Sequence, residues 1–274
     1  MNTHQKLRFF SGFLALLTVG FLSPFFAWAG QDAGFLSRTI SFEGVTRKYQ
    51  VYVPDDWTPE KKWPVILFLN GAGERGSDGV AQTTSGLGPA IKAHPNRFPA
   101  VVVFPQCPNG VYWTSPGMTD LAMKTLKKEI AEFNGDPKRI YLTGISMGGY
   151  GAWMLAAQHP GFFAALTPIS SGVNSPPAIP DIPPSIVADA GSDPYALLAA
   201  QIGTTPTWVF HSVDDPLIPV SEARQIAEAF KGHPSFHYTE LDLHLGHLAW
   251  LSAYDNKEWA TWLFQQKKDE NSDQ

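Results

Sequence analysis

The chain is poor in cysteine, in charge and in basic clusters, and each shortage closes off a class of protein. With one cysteine, Cys107, in 274 residues, no internal disulfide can form, so the fold must be held by its core. Charged residues make up only 16% and the formal net charge is −5. No run of Lys or Arg exceeds a pair, which leaves no basic surplus to neutralise phosphates and argues against a nucleic-acid partner. There is no internal repeat, and the histidines do not assemble with other ligands into a recognisable metal-binding spacing.

What is present in quantity is apolar. Hydrophobic residues account for 44% of the chain, enough to bury the core of one large α/β domain. At the N-terminus Lys6 and Arg8 precede an apolar stretch from Phe9 to Phe26 and then Ala27-Trp28-Ala29. That pattern is expected for a secretory signal over residues 1–29, with the folded domain over 30–274. An uncleaved membrane anchor is the competing reading, disfavoured by Pro24 and the small residues before Gly30. The expected location is periplasmic or secreted.

Strands and helices alternate along the rest. Thr39 to Phe42 and Arg47 to Val53 flank Glu43-Gly44 as a hairpin, and Val65 to Leu69 and Ala100 to Phe104 are uninterrupted apolar runs suited to strands covered on both faces. Helical spacing spans Thr119 to Phe133, and further strands are expected at Arg139 to Leu142, Phe162 to Ile169, Thr207 to Phe210 and Phe236 to Leu241. Helices are expected at Tyr150 to Gln158, Ser221 to Phe230 and Asp255 to Gln266. The fold class this predicts is α/β, a mostly parallel central sheet with helices on both faces.

Between the Arg139 strand and the Tyr150 helix lies Gly144-Ile145-Ser146-Met147-Gly148, a G-x-S-x-G in the strand-turn-helix setting of a nucleophile elbow. A serine on so tight a turn needs small residues two before and two after it, and the helix it opens aims free N–H groups at the site of a developing oxyanion. Met147 is the first donor expected. A glycine-rich turn that merely carries a serine is the alternative. Ser146 would need a base and an orienting carboxylate, which in this fold follow in the order Ser, Asp/Glu, His. Asp215, with Asp214 as its rival, lies at the exit of the Thr207 strand, and His247, with His244 as its rival, lies in the loop before the last helix. The second oxyanion donor is expected from the N–H of Ala72, between Gly71 and Gly73 after the Val65 strand. Glu74 and Arg75 are read as a structural brace, paired with each other or with Asp78, in preference to a grip on substrate charge. Cys107, directly after an apolar strand, is read as a half-buried packing residue. The segment from Val173 to Pro184 holds five prolines and is either a rim of the substrate pocket or a stiff surface connection.

Phe68 to Gly76, Pro105-Gln106-Cys107-Pro108 with Trp113, Arg139 to Gly151 and the two later loops together resemble bacterial α/β-hydrolase esterases of the phospholipase/carboxylesterase, or predicted peptidase, type. These are related to feruloyl esterases and polyhydroxybutyrate-depolymerase-like esterases. The resemblance implies a serine carboxylesterase acting through an acyl-enzyme on a small-molecule or polysaccharide-linked ester, without metal or organic cofactor. Aligning the family's H-G-x-x-D-x-x-V-P on His211 to Pro219 selects Asp215, and its G-H-x-x-W selects His247 with Trp250. Trp113 and Trp250 are the implied substrate-binding residues. Two positions depart from the family: Asn70 replaces the usual histidine before the oxyanion glycine, and Ser212 replaces a glycine. A serine peptidase of prolyl-oligopeptidase type and a non-catalytic carbohydrate-binding or scaffolding protein on the same fold are the alternatives.

Overall fold

In the computed structural model, residues 33–268 are described; the expected signal segment lies outside them. Eight strands form a single sheet in the order β1-β2-β4-β3-β5-β6-β7-β8. β1 (Gly34–Phe42) and β2 (Val45–Val53) make the expected hairpin, turning through Glu43 and Gly44 at positive φ. β2 also pairs antiparallel with β4 (Val101–Pro105). From β4 onward all neighbours are parallel: β3 (Trp63–Leu69), β5 (Gly135–Ile145), β6 (Ala165–Ile169), β7 (Thr207–Ser212) and β8 (Phe236–Leu241).

The uninterrupted apolar runs are explained by the two layers they divide. Val65, Leu67 and Leu69 of β3 join one core cluster, with Leu121, Leu126, Trp153 and Ile226 from the helices on that face. Ile66 and Phe68 join the other, with Leu87, Ile91, Ala253, Trp259 and Leu263. Successive side chains on a strand point to opposite faces, so a strand covered twice has no polar position to spare.

On the first face lie α2 (Met118–Glu132), α3 (Met147–Gln158), α4 (Pro194–Ile202) and α5 (Val220–Ala229). On the second lie α1 (Leu87–Ala93), α6 (Trp250–Asp255) and α7 (Lys257–Gln265). Three expectations change. The last helix begins earlier and is broken at Asn256, whose side chain accepts the N–H groups of Glu258 and Trp259 and so starts a new helix as its N-cap. Phe162 to Ala164 form a turn before β6, so that strand is shorter than the apolar run. Helices α1 and α4 were not anticipated, although α4 carries Asp193 as N-cap and Pro194 at its first position.

Cys107 is fully buried, more deeply than expected, and burial pushes its thiol up to about 12. No described helix is long and apolar enough to cross a membrane.

Candidate active site

Ser146 sits between β5 and α3 with φ 53° and ψ −121°, a backbone conformation that costs an L-residue energy and is held only by its surroundings. Those surroundings explain the glycines. A Cβ on Gly148 would stand 1.9 Å from the carbonyl oxygen of Leu69, and one on Gly144 would stand 2.2 Å from that of Gly148. The elbow is thus pressed against the end of β3, which brings the loop after β3 beside the serine. Ser146 donates its own N–H to the Ile169 carbonyl at 2.9 Å, so β6 fixes the turn from the other side.

The structure brings Ser146, His247 and Asp215 together. His247 Nε2 lies 2.8 Å from Ser146 Oγ, and His247 Nδ1 lies 2.7 Å from Asp215 Oδ2. With Asp215 ionised, Nδ1 carries the proton and Nε2 is the acceptor for the serine hydroxyl. Burial raises the Asp215 carboxyl, but hydrogen bonds from His211 and His247, the charge of His247 and the N–H of Ile218 outweigh it and hold the group well below the usual carboxylate range. Asp215 Oδ1 accepts the N–H groups of Leu217 and Ile218 at 2.9 and 3.0 Å, an Asx-type turn that orients the carboxylate.

The rivals are elsewhere. Asp214 Oδ1 accepts from Ser212 Oγ at 2.7 Å and from the Gly246 N–H at 3.1 Å, which ties the acid loop to the histidine loop. Ser212, where the resemblance implies glycine, thereby holds that tie in place. His244 is exposed, at positive φ, and marks the bend of its loop. His211, which sequence reasoning left without a role, is fully buried with Nε2 2.9 Å from the Ile218 carbonyl and 3.4 Å from Asp215 Oδ2.

Opposite the histidine, the loop after β3 is braced throughout. Asn70 is fully buried; its amide donates to the Gly71 carbonyl at 2.7 Å, and its Oδ1 accepts the Cys107 N–H at 3.2 Å. Asparagine has both a donor and an acceptor for this task, so the loop keeps its shape without a histidine. Arg75 donates to the carbonyls of Ala72 and Val111 at 3.0 and 3.3 Å and lies over the Tyr112 ring. It is a brace, as expected, but one built on carbonyls and an aromatic face, with no ion pair to Glu74 or Asp78. Asp78 instead accepts the N–H groups of Val80 and Ala81 and the Gln106 amide. Burial pushes the Glu74 carboxyl up, partly offset by the N–H groups of Glu74 and Gly71. Met147 is the first residue of α3, a position whose N–H has no intrahelical acceptor, and Ala72 opens a short 3-10 turn in the facing loop.

The two tryptophans are not surface platforms. Trp113 is fully buried, donating its indole N–H to the Asn70 carbonyl at 3.0 Å, and Gly151 of α3 packs against its Cβ. It supports the loop after β3 from beneath, where its burial leaves no face for substrate, contrary to expectation. Trp250 is 8% exposed and meets the His247 ring edge to face at a centroid distance of 5.3 Å, so it positions the imidazole. Behind both, Thr143 Oγ1 and the Tyr254 hydroxyl lie 2.8 Å apart, and Trp259 donates to Thr167 Oγ1, fixing α6 and α7 against β5 and β6.

The proline-rich segment reaches this site. Ile182 packs with Tyr150 of α3 and Ile218 of the acid loop, with Tyr112 and Ile179 alongside. Glu222, missed in the sequence, holds the segment's start: Oε2 accepts the N–H groups of Val173 and Asn174, and Oε1 accepts the Tyr195 hydroxyl. No signal short of the fold could pair residues so distant in sequence. A groove of about 600 Å³ between β1, β2 and α2, which Asp78 and Gly79 also line, contains none of Ser146, Asp215 and His247. Among the described residues no group of three or more His, Cys, Asp or Glu could hold a metal ion.

A sheet of this order, with a serine on the turn after β5, an acid after β7 and a histidine after β8, defines the α/β-hydrolase fold. The chain belongs to the Esterase family, described as "Putative esterase", whose model matches residues 43–266. A solved "thermostable esterase" superposes with a TM-score of 0.71 at 32% identity, over 85% of this chain and 63% of its own. "Putative esterase NocK" of Nocardia uniformis subsp. tsuyamanensis is 31% identical over 54% of this chain and 44% of its own length. "Probable feruloyl esterase C" of Aspergillus terreus is 24% identical over 67% of this chain and 60% of its own. The chain thus spans less than two thirds of each of these relatives.

Proposed function

We propose that this protein is an exported serine carboxylesterase, with a signal over residues 1–29 and a catalytic domain over 30–274. The observation that carries the reading is the continuous hydrogen-bonded line from Asp215 through His247 to Ser146 on an elbow with strained backbone. Membership of the Esterase family supports the same activity.

In the reaction, Ser146 Oγ attacks the ester carbonyl carbon while His247 Nε2 takes the hydroxyl proton. Asp215 holds the imidazole in the reactive tautomer and stabilises the imidazolium. The carbonyl oxygen becomes an oxyanion facing the N–H groups of Met147 and Ala72. Collapse breaks the bond to the alcohol oxygen, which receives the proton from His247 and leaves. Water then attacks the acyl-serine, giving its proton to His247, and the carboxylic acid departs with Ser146 restored. Ile182 packs on Tyr150, one helical turn after Ser146, and on Ile218 of the acid loop, which supports reading the proline-rich segment as a rim of the substrate pocket.

The test is hydrolysis of matched ester and peptide substrates by the mature chain. Turnover of short acyl esters far exceeding that of the peptide is expected; cleavage of the peptide alone would replace this reading with a peptidase.

A further inference from the structure

Seven large apolar side chains are exposed among the described residues, and four of them, Leu217 at 37%, Leu243 at 57%, Leu248 at 44% and Leu251 at 56%, lie on the two loops that carry Asp215 and His247 or on the helix that follows. The loops are joined to each other. Asp214 Oδ1 accepts the Gly246 N–H, Asp215 meets His247, and a Cβ on Gly246 would be 3.8 Å from the Pro216 ring. Leu217 follows that proline directly, while the Leu251 N–H bonds to the Leu248 carbonyl, which places these two leucines one turn apart. Scattered exposed leucines are ordinary, but a group of them bordering one site marks an interaction surface.

The charge around them restricts what they can meet. From Ser212 to Ala223 and from Gly232 to Asn256 there is no Lys or Arg; Asp214, Glu222 and Asp242 fall within these stretches, as do Glu240 and Asp255, which pair with Arg224 and Arg97 from outside them. These loops offer an anionic lipid surface or a polyanion no cationic partner, and a charged soluble substrate would gain nothing from the leucines.

Building on the esterase reading, we propose that Leu217, Leu243, Leu248 and Leu251 form an apolar collar that seats the active site on the surface of a neutral, water-insoluble ester. The substrate class is then an aggregated ester, delivered to Ser146 from a droplet. Each exposed leucine transferred from water to such a surface is worth about tenfold in partitioning.

The experiment compares the wild type with the Leu243→Gln/Leu248→Gln/Leu251→Gln variant on soluble p-nitrophenyl acetate and on tributyrin carried through its solubility limit. Retained p-nitrophenyl acetate turnover in the variant reports an intact fold and site. The wild-type rate on tributyrin should climb once droplets form, and the variant should lose both that climb and, by roughly 1,000-fold for three leucines, its partitioning onto droplets. A wild-type rate that saturates below the solubility limit, or a variant that adsorbs as well as the wild type, overturns the collar. A concentration-dependent dimer that disappears in the variant, without droplet adsorption by either protein, also overturns it, by assigning the leucines to a second copy. Failure of the wild type on both esters refutes the esterase reading instead, and droplet adsorption of the Ser146→Ala protein then decides the collar alone.

Discussion

At the residue scale the account stands on groups whose surroundings leave them one role. Asp215→Asn keeps the shape of the acid but can donate to His247 Nδ1, favouring the wrong tautomer, so kcat should fall by about 10⁴ while KM for a short ester changes little; steady-state kinetics check this. Ala72→Pro removes one N–H at a position that opens a 3-10 turn, and should lower kcat by about 10² to 10³ if that donor faces the oxyanion. Cys107, buried and with its thiol pushed up to about 12, should not react with a thiol reagent in the folded protein, and Cys107→Ala should retain esterase activity. Rapid labelling of the native chain would contradict its buried placement. These residues were legible to different degrees. Ser146, Asp215 and His247 sit in local patterns with a fixed chain order, and the structure places all three in one hydrogen-bonded line. Trp113 and Trp250 were misplaced because composition and motif cannot tell a tryptophan that touches substrate from one that supports the loop or ring beside it.

At the element scale, the glycines of α3 and the latch on the proline-rich segment decide how the site is held. Gly148→Ala would place a methyl 1.9 Å from the Leu69 carbonyl oxygen, with backbone rather than a flexible side chain to move. The expected result is a shifted loop after β3, seen as loss of kcat and a lower Tm. Glu222 anchors the proline-rich segment through three bonds from Val173, Asn174 and Tyr195. Glu222→Gln should therefore raise proteolytic sensitivity within 173–184 and alter acyl preference more than it alters global stability. Strand identity was readable because β3 and β4 are apolar on both faces. The break at Asn256 was not, since a helix cap inside an otherwise helical pattern shows only once its side chain is seen to accept two N–H groups. Nor was Glu222, whose function depends on a segment brought to it by tertiary packing.

At the scale of the whole molecule, no disulfide contributes and the two apolar layers on either side of the sheet supply stability. The surface adds little. Arg224 and Glu240 join α5 to β8, and the guanidinium holds Glu240 down at about 2. A carboxyl depressed on folding gives its stability in full above its unfolded value near 4.5 and loses it as pH falls towards about 2. Arg224→Ala should flatten this part of the acid unfolding profile only slightly, since the pair is exposed and screened by solvent, as followed by denaturant titration at stepped pH. The central claim is that the fold exists to make one serine nucleophilic, and its most direct test is intact mass after brief exposure to a fluorophosphonate. The wild type should gain a single adduct on Ser146, with none on Ser146→Ala and a greatly slowed reaction on His247→Ala. A folded wild type that stays unlabelled, or a Ser146→Ala protein that labels equally fast, would contradict it.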